Sequence, residues 1–175
     1  MMLPRNSVAV EVGVFKGEFT EHILQIVHPS HLHLIDPWWK KFGTYFPDWG
    51  SYTDFGRLKT KDAYAQLLRI IKDFDNHHVS KIHVGRSSVV LPQFPDRYFD
   101  WAYLDSTHSY EDTKEELSLL RYKVKTEGLI TGHDWQEDLT NIHHGVYKAV
   151  NEFIHTYDYR ITYLDNYLQW ALRKK

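Results

Sequence analysis

Residues 8–20, VAVEVGVFKGEFT, contain a predicted strand, a glycine turn and the start of a predicted helix. Four of the first five residues are apolar, and a short apolar run that ends at a glycine is typical of a central parallel strand, which is buried on both faces. Gly13 and Gly17 follow, and from Glu18 onward apolar residues recur at helical spacing. Such a turn lets the backbone approach a ligand closely, beside the free N–H groups of a helix N-terminus. The stretch therefore predicts a ligand site at the end of the first strand.

A second strand is predicted for residues 31–36, HLHLID, and it ends at Asp36, nineteen residues after Gly17. An acid about 20 residues beyond such a turn reaches the hydroxyl groups of a ribose. Phe15 stands where a dinucleotide-binding turn has its second glycine, which argues against a pyrophosphate. The pattern favours a cofactor with a ribose and no pyrophosphate, such as S-adenosylmethionine, over an ordinary strand–helix turn.

These segments carry a resemblance to a known family. Residues 11–20, EVGVFKGEFT, follow the pattern E-x-G-x-x-x-G-x-x-[ST], and residues 35–38 are IDPW. Together they resemble the class I S-adenosylmethionine-dependent methyltransferases, and more closely the small-molecule O-methyltransferase branch, methyltransferase family 24. Later segments agree in family order over nearly the whole chain: 104–110 (LDSTHSY), 132–135 (GHDW) and 145–153 (GVYKAVNEF).

The resemblance implies a fold and a cofactor. The expected fold is α/β, a Rossmann-like doubly wound sheet of seven strands in the order 3-2-1-4-5-7-6, parallel except for one antiparallel C-terminal strand. Residues 1–175 then form a single methyltransferase domain that binds S-adenosylmethionine. The residues expected at the cofactor are Glu11, Gly13, Phe15, Gly17, Asp36, Ser87 and Asp105. Ser87 lies in the turn at which this family meets the adenine, although a helix N-cap explains a serine there equally well.

The remaining hydrophobic patterns predict elements that agree with this fold. Helices are predicted at 60–74, 110–122 and 145–153, with a short one at 88–91, and further strands at 81–84, 99–105 and 128–132. The last residues alternate in polarity on both sides of Asp165 and Asn166, which predicts a hairpin.

Residues 37–58 show no regular period and are dense in Trp, Tyr and Phe. A loop of this length is usually functional or disordered, and its aromatic content argues against disorder. One interpretation is a hydrophobic cluster that packs on the sheet. The other is a lid that forms a wall for the substrate, because the loop leaves from the cofactor end of the second strand.

Two carboxylates are expected to meet beyond the fourth and fifth strands. Asp105 and Asp134 follow these strands, and neighbouring parallel strands end over one crevice although 29 residues separate the two acids. Methyl transfer to a hydroxyl group requires the acceptor oxygen to lose its proton, which a base or a divalent metal can bring about. Carboxylate oxygens suit a hard cation such as Mg²⁺ or Mn²⁺.

The resemblance implies roles for the residues around these acids. Metal-dependent relatives have ligands at the positions of Asp105, His133 and Asp134, and His133 stands where an acid is common. A histidine suits Mg²⁺ poorly and softer ions better. Thr107 replaces an acidic base of some relatives, so His108 is the candidate base, with Asp105 also assigned to catalysis. Each of these residues also has a structural alternative. Asp105 would cap the helix after the fourth strand, and His108 would bond to a neighbouring helix. His133 and Asp134 would only orient a turn.

The composition narrows the function further. A net charge of −2 and a pI near 6.6 argue against a nucleic-acid substrate, and the absence of cysteine excludes disulfides and thiolate metal sites. No apolar run approaches about 20 residues and residues 1–6 are not a signal peptide, so a soluble cytoplasmic protein without a membrane partner is expected. Most histidines are expected at the surface: His28, His31, His33, His77, His78, His143 and His144.

The predicted function is O-methylation of a small hydroxylated molecule, a sugar or another secondary metabolite. Two rivals are an NAD-linked oxidoreductase, against which Phe15 counts, and a cofactor-binding module that has lost catalysis and serves as a partner subunit. The missing acid at Thr107 keeps the second rival open. A third possibility is that the chain shares the fold of the hydroxylase relatives of this branch and does not methylate a substrate. The acceptor, the metal and the oligomeric state, with a homo-oligomer among the candidates, are left open.

Overall fold

A seven-stranded mixed sheet forms the centre of the chain in a computed structural model, which describes residues 3–175. The strands are β1 (Val8–Val12), β2 (His31–Asp36), β3 (Ser80–Val84), β4 (Phe99–Leu104), β5 (Val124–Gly132), β6 (Tyr159–Leu164) and β7 (Trp170–Lys174). Their order is β3-β2-β1-β4-β5-β7-β6. β7 runs antiparallel to β5 and β6, and the other pairings are parallel. The predicted fold and strand order are confirmed.

The register of the central strands brings their carboxyl ends together. Val12 at the end of β1 pairs with Ile35 on one side and with Leu104 on the other. Leu104 in turn pairs with Gly132 at the end of β5. The residues that follow these strand ends therefore leave the sheet side by side at one edge.

Helices cover both faces of the sheet. They are α1 (Glu18–His22), continued by a π-helical turn (Ile23–Val27), α2 (Trp39–Phe42), α3 (Thr60–Phe74), α4 (Ser87–Val90), α5 (Tyr110–Lys123) and α6 (His144–Thr156), with 3-10 turns at Gly50–Thr53 and Leu91–Gln93. Side chains of α1 and α3 pack in the core on one face, and those of α5 and α6 pack in the core on the other. Leu67 of α3 and Val150 of α6 lie on the apolar stripes that their spacing predicts, and both are fully buried. Among the described residues no helix is long and apolar enough to span a bilayer.

The segment between β4 and α5 is short and held at both ends. Asp105 donates its backbone N–H to the carbonyl of Val12 at 2.8 Å, which ties the start of the segment to β1. At the other end Ser109 caps α5, because its hydroxyl accepts a hydrogen bond from the backbone N–H of Asp112 at 3.1 Å. The intervening residues are thereby fixed at the carboxyl edge of the sheet.

His33 is buried in the sheet and not at the surface, so the prediction for this histidine is wrong. Its Nδ1 lies 3.0 Å from Nε2 of His83 on β3, and its Nε2 lies 3.4 Å from the hydroxyl of Tyr98. Phe94 and Phe99 pack edge-on against the ring. A central strand buries both faces, so even a polar residue on β2 is enclosed. The His33–His83 contact requires one imidazole to donate and the other to accept.

The stability of the fold is expected to fall in mild acid because of His33. Burial, together with the charges of His83, Lys81 and His31, lowers the pKa of His33 to about 4. In the unfolded chain His33 takes up a proton near pH 6.5, whereas in the folded chain it stays neutral down to about pH 4. The unfolding free energy is therefore unaffected by His33 above pH 6.5, and it decreases as the pH falls from 6.5 towards 4. Each pH unit in this range corresponds to about 1.4 kcal/mol, so the free energy of unfolding should decrease by roughly 2 kcal/mol between pH 6.5 and pH 5.

Urea unfolding at pH 7.5 and pH 5 measures this effect. His33→Phe should reduce the loss of unfolding free energy between the two pH values. His155→Phe, an exposed position on α6, should leave it unchanged. An equal pH dependence in the wild type and in His33→Phe would contradict the assignment.

Candidate functional site

A cavity of about 920 Å³ opens at the carboxyl edge of the sheet, within the size range of small-molecule and cofactor sites. Its floor is the turn after β1, and its sides come from the segments that follow β2, β3, β4 and β5. Aromatic residues of the loop 37–58 close one further side. The cavity thus lies where the topology places ligands in an open parallel sheet.

Gly13 lets the floor of the cavity rest directly on β4. Its φ is +86°, and a Cβ atom built on it would lie 1.9 Å from the backbone carbonyl oxygen of Asp105. Gly17 has φ +87°, and a Cβ there would lie 2.7 Å from Leu67 of α3. Each glycine therefore meets two requirements, a left-handed backbone and a close neighbour. Phe15, which lies between the two glycines, also has a positive φ, of 52°, and it lines the cavity.

Asp36 holds the shape of the turn and lines the cavity. Its Oδ2 accepts the backbone N–H groups of Val14 (3.0 Å) and Phe15 (2.9 Å), and its Oδ1 accepts that of Trp38 (2.9 Å). Burial raises the pKa of this carboxyl, although the three N–H bonds and Lys41 oppose the rise. A carboxylate has about four acceptor positions, so one remains for a ligand hydroxyl group. This fits the ribose of S-adenosylmethionine.

Glu11 and Gly17 lie behind the turn and do not line the cavity. Glu11 is 1% exposed, and its Oε2 accepts the hydroxyl of Thr20 at 2.7 Å. Burial raises the pKa of Glu11 to about 8, so its carboxyl is protonated at neutral pH. The first and last residues of the motif at 11–20 thus bind each other, and they support the turn from below.

Glu116 on α5 is a buried acid at the cavity that the sequence did not point to. Its two oxygens accept the hydroxyl groups of Ser87 and Ser106, each at 2.6 Å. Burial raises its pKa to about 7. Ser87 lines the cavity at the start of α4, and its hydroxyl donates to Glu116, so its contact with the cofactor stays a prediction. The carboxyl fixes the turns after β3 and β4 to each other.

The loop 37–58 packs on the sheet and also lines the cavity. Trp38 and Phe46 are buried in the core, and the indole N–H of Trp38 donates to the carbonyl of Phe15 at 2.9 Å. Tyr52 stacks on Phe15 with ring centroids 4.5 Å apart. Nζ of Lys41 lies 3.6 Å from Oδ2 of Asp112 on α5, and both residues line the cavity. The loop therefore forms the hydrophobic cluster and also lines the cavity, and its role as a lid over the substrate stays a prediction.

A cluster of acids and histidines lies at the other side of the cavity. Nε2 of His108 is 3.1 Å from Oδ1 of Asp105 and also 3.1 Å from Oδ2 of Asp134. Nδ1 of His133 is 3.2 Å from the other oxygen, Oδ1, of Asp134. The carboxyl ends of β4 and β5 therefore bring these side chains together. His108 and Asp134 have positive φ values of 60° and 62°, and backbone strain of this kind clusters at functional sites.

The charges of the cluster shift its pKa values in opposite directions. Burial lowers the pKa of His108, but the bond to Asp105 and the charges of Asp134 and Asp105 outweigh it and raise the pKa overall. Burial raises the pKa of Asp134, but the hydrogen bond from His133 and the charges of His108, His133 and His143 outweigh it and lower the pKa overall. The cluster favours an ionised Asp134 facing basic imidazoles.

His143 belongs to this cluster, so its predicted surface position is wrong. It precedes α6 and lies with its ring centroid 4.6 Å from that of His108. Its Nδ1 is 3.3 Å from Oδ2 of Asp134. Gly145 makes this approach feasible, because a Cβ there would lie 2.6 Å from the backbone nitrogen of Tyr110. A glycine at the start of a helix was the signal in the sequence that α6 packs closely on the segment after β4.

Comparison with known proteins agrees with this architecture. A family model described as a methyltransferase domain, that of methyltransferase family 24, matches residues 10–135. The sequence matches no curated protein. Among solved structures, the fold is similar to a precorrin 8w decarboxylase of Methanobacterium thermoautotrophicum, with 16% identity and a TM-score of 0.60 over 97% of this chain and 81% of that chain.

Two further structures are similar over almost the whole chain. One is a protein of Methanococcus maripaludis, provisionally assigned as an S-adenosyl-L-methionine-dependent methyltransferase, with 14% identity and a TM-score of 0.66 over 98% of this chain and 78% of that chain. The other is an rRNA methylase of Streptococcus thermophilus, with 11% identity and a TM-score of 0.62 over 99% and 90%. At these identities the structures show the fold alone. The family match over residues 10–135 goes further: the chain belongs to methyltransferase family 24, a family of class I S-adenosylmethionine-dependent methyltransferases.

Proposed function

We propose that the protein transfers a methyl group from S-adenosylmethionine to a hydroxyl oxygen of a small molecule, a sugar or another secondary metabolite. The observation that carries this proposal is the position of His108 Nε2, 3.1 Å from two carboxylates in the same cavity as the glycine turn and Asp36. A basic group is thus available beside the cofactor floor for the proton of the acceptor.

Bound S-adenosylmethionine supplies an electrophilic methyl group. Gly13 and Asp36 would hold the cofactor at the floor, and the acid–histidine cluster would face the acceptor. Nε2 of His108 carries the ring proton towards Asp105 and Asp134, so Nδ1 is the atom that would take the proton of the acceptor hydroxyl, and the two acids would stabilise the imidazolium that forms. The carboxylates that raise the pKa of His108 strengthen the neutral imidazole as a base, once the ring has lost its own second proton. Alignment of donor and acceptor supplies the remainder of the rate enhancement.

A divalent cation is part of the proposal. Asp105, His133 and Asp134 offer ligand atoms within 4.8 Å of one another, so the donor set fits one ion. Mg²⁺ or Mn²⁺ held there would lower the pKa of an acceptor hydroxyl group, and the imidazole favours Mn²⁺ of the two.

A small acceptor fits the walls of the cavity better than a nucleic acid does. Phe42, Trp49 and Tyr52 of the loop 37–58 line one side, where they suit an apolar or ring-shaped molecule. The opposite side carries Asp105 and Asp134, which repel a phosphate backbone. We propose on the same grounds that the loop closes over the acceptor.

Calorimetry and an acceptor panel test the function. S-adenosylmethionine and its homocysteine product should bind, and NAD should not, whereas tight NAD binding alone would reverse the proposal. With a panel of sugars and phenols in Mg²⁺ or Mn²⁺, one acceptor should be methylated, and His108→Ala should reduce turnover by about 100-fold or more. His155→Ala, which removes an exposed imidazole on α6, is the matched control. Binding without turnover of any acceptor would favour a silent cofactor-binding module.

A further inference from the structure

We propose that His108, Asp134 and His143 form a binding site for a transition-metal ion such as Zn²⁺ or Co²⁺. Each of the three offers one ligand atom, and these atoms lie within 4.8 Å of one another. The site goes beyond the proposed function, because its third ligand, His143, comes from the start of α6 and not from the ends of β4 and β5.

The spacing of the ligand atoms fits a tetrahedral ion. Zn²⁺ binds imidazole nitrogen and carboxylate oxygen at about 2.0–2.1 Å, which places neighbouring ligand atoms of a tetrahedron roughly 3.3 Å apart. Oδ2 of Asp134 is 3.1 Å from Nε2 of His108 and 3.3 Å from Nδ1 of His143. Two rings therefore meet one carboxylate oxygen at the separation that such an ion requires.

Hydrogen bonding within the protein leaves this cluster incompletely satisfied. Nδ1 of His143 is buried and has no hydrogen-bond partner among the described residues, although Oδ2 of Asp134 is 3.3 Å away. Nε2 of His108 carries at most one proton, yet it faces carboxylate oxygens of both Asp105 and Asp134 at 3.1 Å. A cation at the centre resolves both deficits, because it accepts a lone pair from each ring and neutralises the acids.

Two imidazoles and one carboxylate select a borderline ion over Mg²⁺, which prefers oxygen ligands. The site shares Asp134 with the Asp105–His133–Asp134 set, but it uses the other oxygen: Oδ1 faces His133, and Oδ2 faces His108 and His143. When Nε2 of His108 binds the ion, the ring proton lies on Nδ1, which then has no lone pair for a second proton. An ion in this site therefore excludes His108 from acting as a base, a consequence that rests on the proposed function.

Cobalt titration of the tag-free, chelator-treated full chain tests the site. Tetrahedral Co²⁺ absorbs visible light, so its binding is measured directly, and Zn²⁺ should displace it while a 100-fold excess of Mg²⁺ should not. His143→Ala should weaken Co²⁺ binding by about 10–100-fold or more. His143→Gln, which keeps most of the volume of the side chain, should do the same if the alanine variant unfolds. His155→Ala on the same helix should bind like the wild type.

Three results would overturn the assignment. The first is that the wild type does not bind Co²⁺. The second is that the wild type and both His143 variants bind Co²⁺ with equal affinity. The third is that His133→Ala loses Co²⁺ binding while the His143 variants keep it. A separate calorimetric measurement of S-adenosylmethionine binding keeps the two proposals distinct. Cobalt binding without cofactor binding refutes the proposed function and leaves this site, whereas cofactor binding without cobalt binding refutes the site alone.

Discussion

Gly13→Ala is expected to abolish binding of S-adenosylmethionine and to lower the free energy of unfolding by more than about 3 kcal/mol. A left-handed backbone costs a residue with a side chain about 1–2 kcal/mol. The added methyl group would also lie 1.9 Å from the carbonyl oxygen of Asp105. Because this oxygen belongs to the backbone, it cannot avoid the clash by a change of rotamer. The turn would have to lift off β4, which moves Phe15 and the floor of the cavity.

Gly43→Ala is the matched control for this substitution. Gly43 also has a positive φ, of 66°, but a Cβ there meets no heavy atom within 4 Å. Its ψ of −138° lies outside the left-handed helical region, so the substitution should cost only the backbone strain, about 1–3 kcal/mol, which is roughly 2–12 °C in melting temperature for a chain of this size. Equal melting temperatures and equal cofactor affinities for the two variants would show that the approach to Asp105 has no importance.

Asp36→Asn has the second largest expected effect, a loss of cofactor affinity of about 10–100-fold together with reduced stability. The carboxylate accepts three backbone N–H groups, and an amide has only one oxygen. At least one N–H group then faces an NH₂ donor, which costs about 1–3 kcal/mol. A charged hydrogen bond to a ribose hydroxyl group is worth a similar amount. Calorimetry with S-adenosylhomocysteine and thermal unfolding measure the two losses.

Asp75→Asn separates the loss of stability from the loss of affinity. Asp75 is as buried as Asp36, at 6% exposure, and it accepts the backbone N–H groups of Val79 and Ser80 at 2.9 and 2.8 Å. It precedes β3, at the opposite edge of the sheet from the cavity. This variant should lose stability but bind the cofactor as the wild type does. If both variants bound the cofactor equally well, Asp36 would have no role beyond the turn.

The strand order and the meeting of Asp105 with Asp134 were predictable from the sequence. Alternating strand and helix patterns limit the topology, and neighbouring parallel strands end at one edge, so two acids 29 residues apart come together. The resemblance over residues 11–20 supplied the order of the strands, and the family match supports it. Local periodicity together with this order was therefore enough for the fold.

The residues that were missed depend on packing between elements. His143 was expected at the surface, but it directly precedes α6, whose close packing on the segment after β4 brings its ring to His108. Glu116 is one of several acids in the sequence of α5, and only the tertiary contacts with Ser87 and Ser106 distinguish it from the surface acids. His33 was expected at the surface with most other histidines, although its place in the predicted strand 31–36 favours burial.

The hydrogen bond from the indole of Trp38 to the carbonyl of Phe15 links two sides of the cavity. In the proposed function one end belongs to the turn that would hold the methyl donor, and the other to the aromatic loop that would face the acceptor. A ligand that moves the turn or the loop would therefore also shift the other through this hydrogen bond. Thermodynamic reciprocity then requires donor and acceptor to change each other's affinity by the same factor, so the order in which they enter leaves that coupling unchanged.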